Sequence, residues 1–596
     1  MPEPNTNWFF QPRGHRTGAE DDSAAGLISL PDEVLQRHGA RVLDPETAVA
    51  VAGYPTPRST VYRTRTLLVP ADLQQEPVMG VINRILGGVG MKMNSATEIQ
   101  NPDPDNTAVA RLLAEVPRPA VLTPAEGSRR PAVVDAWVAL QTLRAAAVSA
   151  GEPAQADVDR TSADRLDRAD VDRIGLEHLL VGSAITGSPA YGGGGGLAAN
   201  PGGGSGPAST DSYTFSGGDT RTPVAVLLDP PARSDLSAGF LDRYGRRPVV
   251  AVVDTGVRAQ PWLDVVPDPA GGYDTDPRHD GDGFIEIDDQ IQEIIRLAGE
   301  DAESSGDQPR QVIRHAWDRP VSEDPLIGEL GPALGHGTFI AGIARQVAPD
   351  ARVLAIRVMH SDDIVYEGDL LWALIMLGIR IALAEAADSD KMVDVVSLSL
   401  GYFSESPCDQ AYTSALWKVI KILLDLGVVV VAAAGNYSTS RMFYPAAFAR
   451  QPPPAGHLPL ISVGALNPNG SKAVFSDAGS WVTAWSSGGL VVSTFPTDIN
   501  GSRTPELRMP AHPANPMPPG VSLPGDREAI DPDDYSCGWG VWSGTSFSAP
   551  LLAAQIIRSL MEGPADPASG LVLKPCGQLA TTERALTALK NMGWPG

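Results

Sequence analysis

Four polar residues sit where the character of the chain changes. Asp254 closes the apolar run Val250-Ala251-Val252-Val253, and His336 stands between Gly335 and Gly337 at the head of a helical pattern. Asn436 ends Val430-Val431-Ala432-Ala433-Ala434-Gly435, and Ser546 lies in Gly544-Thr545-Ser546-Phe547-Ser548-Ala549-Pro550, which runs into the apolar stretch Leu551 to Met561. A serine at the head of a helix meets unpaired backbone N–H groups and the positive end of the dipole, which suits a nucleophile whose attack creates an oxyanion. The same residue type also caps helices. An Asn at a strand end can donate its amide to such an oxyanion, or simply make a turn. No second His follows His336 at the spacing of helical metal ligands, which argues against zinc. Asp-Thr-Gly alone does not make an aspartic protease, because that chemistry needs two carboxylates sharing a proton. The sequence has no second Asp-Thr/Ser-Gly.

These residues need a scaffold. Short apolar runs at Val249–Val253, Val353–Val358, Val393–Leu398, Val428–Ala433 and Leu460–Val463 alternate with helical patterns at 337–346, 367–387 and 410–426. Fully apolar strands separated by helices predict an α/β fold, a doubly wound parallel sheet covered on both faces. Ligands bind such sheets at the carboxyl ends of the strands. Asp254 and Asn436 fall at such ends.

The order Asp, His, Ser is that of the subtilisin triad. With Asp-Thr-Gly, His-Gly-Thr, Ala-Ala-Gly-Asn and Gly-Thr-Ser-x-Ser-x-Pro in sequence, the chain resembles the subtilisin-like serine proteases, or subtilases, over roughly 240 to 560. The resemblance implies a serine endopeptidase with Ser546 as nucleophile, His336 as general base and acid, and Asp254 orienting the imidazole. It implies that Asn436 and the Ser546 N–H hold the oxyanion. Ser399, Leu400 and Gly401 would pair with the backbone of an extended peptide or protein substrate, and Ala434 and Gly435 would line the pocket for the residue before the cut. Tyr402 could narrow that pocket. The expected role is maturing or degrading specific peptides or proteins. The alternatives are a catalytically silent peptide-binding protein on the same fold and a zymogen-like protease activated by a partner.

Some positions depart from the family pattern. Phe339 stands where relatives often carry His, and packing is its expected role. Family members often bind calcium, and Asp274, Asp276, Asp280, Asp282, Glu286, Asp288 and Asp289 form an acidic stretch. Arg278 spoils an EF-hand pattern there. No cofactor is required by this reading, and calcium stays open beside a solvated acidic loop. A Pro-rich insertion, Pro496 to Pro532, is expected to border the cleft.

The expected organisation is an N-terminal extension, 1–58; a small α/β domain, 59–150, regulatory or propeptide-like; an Asp/Arg-rich segment and Gly/Ser/Pro-rich linker, 151–240; and the catalytic domain, 241–596. Asp157 to Leu180 reads as a solvated helix, and Gly182 to Gly218 as a linker. Ser546-dependent cleavage within 150–245 would mark a propeptide, and an intact chain a retained domain open to a regulatory partner. A net charge of −25 and a pI near 4.7 argue against nucleic-acid or anionic-membrane partners. Met1 to Gly14 lacks the apolar core of a secretory signal, and Leu370 to Ala387 is interrupted by Arg380 and Glu385, so the expectation is a soluble, cytoplasmic bacterial chain. Cys408, Cys537 and Cys576 read as isolated thiols, with a 537–576 pair left open.

Overall fold

The computed structural model describes residues 7–12, 30–95, 106–115, 117–126, 133–151, 166–183, 221–304, 309–319, 322–324, 329–406, 414–499, 508–509, 527–528 and 534–595. Its centre is an eight-stranded sheet. In spatial order the strands are Trp8–Phe10, Ala484–Ser487, Leu460–Leu466, Val429–Ala433, Val395–Leu398, Val249–Asp254, Arg352–Arg357 and Ile285–Ile287. All neighbours run parallel except the first pair, where Trp8, Phe9 and Phe10 lie antiparallel to Ser486, Trp485 and Ala484. Every residue of Val249–Asp254 is buried. Burying one Val in this way stabilises the fold by about 1.5–3 kcal/mol, so the apolar runs seen in the sequence become the middle of the sheet. The acidic stretch holds an additional strand, Ile285–Ile287, and a helix, Asp289–Ser304.

Helices His336–Val347, Glu367–Ala386, Ala415–Asp425 and Thr545–Met561 cover the sheet. Glu367–Ala386 is buried nearly all round. Among the described residues no helix is long and apolar enough to cross a membrane. At the base of the sheet the Arg246 guanidinium, fully buried, meets the Asp394 carboxylate in a two-pronged pair of 2.6 and 2.7 Å. Asp394 Oδ2 also accepts the Val249 N–H at 2.9 Å, which ties two central strands together.

A second sheet begins with Met91–Asn94, Arg118–Pro124, Thr60–Val69 and Gly175–Gly182, with Ala40–Leu43 beside Thr60–Val69. Helices Val78–Gly87 and Ala136–Gly151 pack on it around a separate apolar core. Residues 59–150 hold strands and helices of this sheet, and elements outside those bounds join it. Residues 32–43 supply a helix and a strand. The stretch read as a solvated helix supplies one short helical turn, Arg168–Val171, and then the buried strand Gly175–Gly182. The start of the extension lies in the main sheet instead. Thr222–Pro223 forms a short strand. Residues 184–220, which hold most of the Gly-rich segment, lie outside the described residues, as does most of 496–532.

Candidate active site

Asp254 ends its strand with Oδ1 accepting two hydrogen bonds, 2.8 Å from the Thr255 N–H and 2.7 Å from His336 Nδ1. His336 opens its helix after Gly335, whose φ of +85° turns the chain into it. The following Gly337 is required by closeness: a Cβ there would lie 2.1 Å from the Gly256 carbonyl oxygen. The Asp-Thr-Gly and His-Gly-Thr motifs thus touch through their glycines. Thr255 Oγ1 accepts the Gly337 N–H at 3.0 Å and donates to Asp318 Oδ2 at 3.1 Å. Asp318 also accepts the Gly335 N–H at 2.7 Å. Sequence reading passed over Asp318, which sits in no motif. Burial pushes its carboxyl up to about 6. Burial alone would lower the imidazole of His336, but the adjacent Asp254 charge and hydrogen bond offset this, and its pKa is raised.

Ser546 lies in the first turn of Thr545–Met561, and Gly544 is the N-cap. Its hydroxyl does not cap the helix; Oγ donates to the Ser399 carbonyl at 3.3 Å. Among the described residues, His336 Nε2 is buried without a hydrogen-bond partner. Asn436 is fixed by Thr545, whose N–H and Oγ1–H both donate to Oδ1, at 2.9 and 3.0 Å. That arrangement turns Nδ2 the other way, toward the Ser183 carbonyl oxygen, to which it donates. The Ser546 N–H donates to the same oxygen at 2.9 Å. Two donors therefore converge on one carbonyl beside the serine, the geometry that would stabilise an oxyanion.

The chain's own strand fills the cleft. Leu400 and Gly401 pair antiparallel with Gly182 and Val181. On the other side Ile364, Val365 and Tyr366 pair with Val181, Leu180 and Leu179. The Ser183 N–H donates to the Ser399 carbonyl at 3.0 Å, and the Gly182 N–H to the Asp363 carbonyl at 3.1 Å. Ser399, Leu400 and Gly401 thus lie along the bound strand. Ala434 and Gly435 are buried at the end of theirs, with the Gly435 N–H donating to Thr545 Oγ1 at 3.1 Å. Tyr402 lies further along the cleft, stacked on His178 with centroids 4.3 Å apart. Phe339 is buried against Phe547 and Trp542. With the strand in place Asp254, His336, Asn436 and Ser546 are all buried.

Part of the acidic stretch is paired with arginines. Asp282 pairs with Arg247, and Glu286 and Asp288 with Arg380 at 2.7 and 2.6 Å. Among the described residues no three His, Cys, Asp or Glu side chains gather as a metal would need. Cys537 and Cys576 are free thiols, one exposed and one buried, and Cys408 lies outside the described residues.

A parallel α/β sheet with an Asp–His pair, a helix-head serine and a two-donor cradle at its carboxyl edge defines a hydrolase-like site of the subtilisin type. The subtilase family profile matches residues 245–565, and the chain belongs to that family. It is 32% identical over 178 residues to thermitase of Thermoactinomyces vulgaris, covering 28% of this chain and 54% of that protein. It is 33% identical over 178 residues to the thermophilic serine proteinase of Bacillus sp. (strain AK1), covering 28% of this chain and 37% of that protein. Subtilisin DY of Bacillus licheniformis is 31% identical over 186 residues, 28% of this chain and 58% of that protein. The chain spans about half the length of the curated relatives it matches.

Proposed function

We propose that this chain is a serine endopeptidase and that its N-terminal unit is a substrate-like plug, cut by the chain's own site at the Ser183–Ala184 bond. The observation that carries this reading is the Ser183 carbonyl oxygen held by Asn436 Nδ2 and the Ser546 N–H. The strand before it is paired on both edges. That is the register of a peptide about to be cleaved.

In the reaction, Ser546 Oγ turns from the Ser399 carbonyl toward His336 Nε2 and attacks the Ser183 carbonyl carbon. His336 takes the hydroxyl proton as the C–O bond forms, and the charge on the carbonyl oxygen rests on the two donors. The C–N bond then breaks, and His336 gives its proton to the leaving amine. Water attacks the resulting ester with His336 again as base, releasing the carboxylate and restoring Ser546. Asp254 holds the imidazole by Nδ1 throughout. Protein or peptide substrates would follow the same course, lying as extended strands between Ile364–Tyr366 and Leu400–Gly401.

One observation favours a second reading, a silent peptide-holding protein. Ser546 Oγ bonds to a carbonyl, and among the described residues His336 Nε2 has no partner. A fluorophosphonate probe decides between them. The active reading expects labelling that disappears in Ser546→Ala, together with an intact-mass spectrum showing a fragment that ends at Ser183 in the wild type and full-length chain in Ser546→Ala. A wild-type chain that neither labels nor cleaves supports the silent reading.

A further inference from the structure

Counting back from Ser183, His178 is the sixth residue before the bond assigned for cleavage. Its ring is held at both nitrogens by carboxylates from the catalytic unit. Nδ1 lies 2.6 Å from Glu367 Oε2, and Nε2 lies 2.7 Å from Glu405 Oε2. The His178 N–H also donates to Glu367 Oε2 at 3.2 Å. An imidazole with an acceptor at each nitrogen is doubly protonated and carries a positive charge. The pKa directions agree. Burial would lower His178, but the two carboxylates push it up to about 10.

The two acids stay with the catalytic unit when the strand leaves. Glu367 begins the helix Glu367–Ala386, where the positive end of the dipole favours it, and Glu405 follows the cleft-edge strand Leu400–Phe403. The positive groups beside them belong to the N-terminal unit: His178 itself, and Arg144, whose charge acts on Glu405. Both acids are buried. A strand that covers these carboxylates again without a positive group would leave them buried and unpaired, which is costly, so an occupied site calls for a cation. A cavity of about 150 Å³ opens beside the imidazole, lined by Glu367, Tyr402, Glu405 and Arg144, and has room for a side chain longer than His. The Tyr402 ring, stacked on His178, offers the face that a guanidinium also favours.

We infer that Glu367 and Glu405 form a subsite for a basic side chain six residues before the scissile bond, so that the protein or peptide substrates of this site carry Arg, Lys or protonated His at that place. This rests on the proposed cleavage register along the Leu400–Gly401 edge. The side chains of a bound strand alternate and are fixed by its main-chain pairing, so a foreign strand in the same register delivers its sixth side chain to the same carboxylates.

The first test needs no turnover. In full-length Ser546→Ala chain, hydrogen exchange of the 175–183 amides reads docking of the strand. His178→Arg and His178→Lys are expected to keep protection within about threefold of the parent, and neutral His178→Gln to lose about tenfold or more. Once Glu405→Gln is present, the further loss on His178→Gln should shrink, as coupling between direct partners requires. Equal protection in His178→Gln and His178→Arg overturns the subsite. The second test uses peptides that copy Leu179–Ser183, carry Arg, Gln or Glu at the preceding position and continue past Ser183 with Ala184 and the residues after it, so that the Ser183–Ala184 bond is there to be cut by the processed wild-type protein. Arg should exceed Gln about tenfold in kcat/KM, and Glu should be poorest. Equal rates overturn the substrate preference while leaving the protease reading intact. No turnover with no Ser546 labelling overturns the protease reading instead, and the exchange measurement still decides the subsite.

Discussion

The carbonyl oxygen of Ser183 accepts a hydrogen bond from the backbone N–H of Ser546, at 2.9 Å. The residue that motif reading names as nucleophile therefore already presents its amide to a carbonyl of its own chain. The second donor to that oxygen is Asn436, oriented by Thr545. Asn436→Ala removes it. The expected result is a fall of roughly 10²–10³ in kcat, the usual cost of losing one oxyanion donor, with KM little changed. Steady-state kinetics on a fluorogenic peptide, with a melting curve to check folding, would expose a smaller role.

Gly182 lies where a side chain has no room. A Cβ there would come 2.1 Å from Asp363 Oδ1, a buried atom without a hydrogen-bond partner. Burial pushes the Asp363 carboxyl up to about 8, so it faces the strand with its charge weakened. Gly182→Val should cost about 1–3 kcal/mol through overpacking and slow self-cleavage roughly tenfold or more. Adding Asp363→Gly should recover much of the rate. A time course of the Ser183-terminated fragment measures both. If Gly182→Val cleaves at the parent rate, the strand is not held in this register.

Much of this was legible in the sequence, for identifiable reasons. A strand buried on both faces must be apolar throughout, so Val249–Val253 and Val428–Ala433 announce themselves, and the polar residue that follows marks the sheet edge. Gly337 cannot vary without striking Gly256, so the motif spells out its own contact. The docked strand was hidden for the opposite reason. Glu177 and His178 make its neighbourhood look solvated, yet both are buried against charges from elsewhere: Arg63 at 3.5 Å from Glu177, and Glu367 and Glu405 around His178. Charges matched across such distances in sequence leave no local pattern. Trp8-Phe9-Phe10 was missed because three residues are too few to show alternation.

Arg246 and Asp394 make a buried ion pair, with 1% and 7% side-chain exposure. Removing one partner leaves the other charge buried and uncompensated. Asp394→Ala should therefore destabilise the catalytic unit by about 3–5 kcal/mol, more than a surface acid such as Glu293→Ala, whose partner Arg296 is on an exposed helix face. Chemical denaturation of both variants in a Ser546→Ala background, where self-digestion is absent, makes the comparison.

The His178 cluster gives strand docking a pH dependence of definite sign. The folded pKa, about 10, lies above the ordinary 6.5. The stabilisation is thus fully present below about 6.5 and is lost as pH rises through about 10. Of the groups that face the ring, Glu405 is held down to about 2, and Tyr402 is pushed well above its ordinary value. Neither titrates in that window. Dissociation of the cleaved N-terminal fragment should accelerate from pH 7 to pH 10, and in His178→Lys, whose ordinary pKa of about 10.4 lies above this range, the rate should stay flat over it. A rate independent of pH over this range would mean that the cluster does not hold the strand.

Cleavage after Ser183 would not by itself free the N-terminal fragment, because its first strand is built into the other sheet. Phe9 pairs with Trp485 across the edge of the central sheet, and the Asn7 carbonyl accepts the Ser487 N–H at 2.8 Å. The Gln11 N–H donates to Thr483, and the Phe10 ring meets Trp594 edge-on at 4.9 Å. The fragment is held at this edge as well as in the cleft, where Arg37 and His38 meet Asp362 at 2.7 and 2.8 Å and where Val109 and Leu112 join the main core, and each attachment raises the effective concentration of the others. Deleting residues 1–12 should leave self-cleavage intact, since no residue of the site lies there. It should also speed loss of the fragment by 10²-fold or more, within the range of avidity effects. Size-exclusion chromatography of the processed protein, followed by activity on an added peptide, reads the outcome: fragment retained and activity low with the strand, fragment lost and activity high without it. Equal retention in both would show that the remaining contacts hold the fragment and that Trp8–Phe10 only covers a sheet edge.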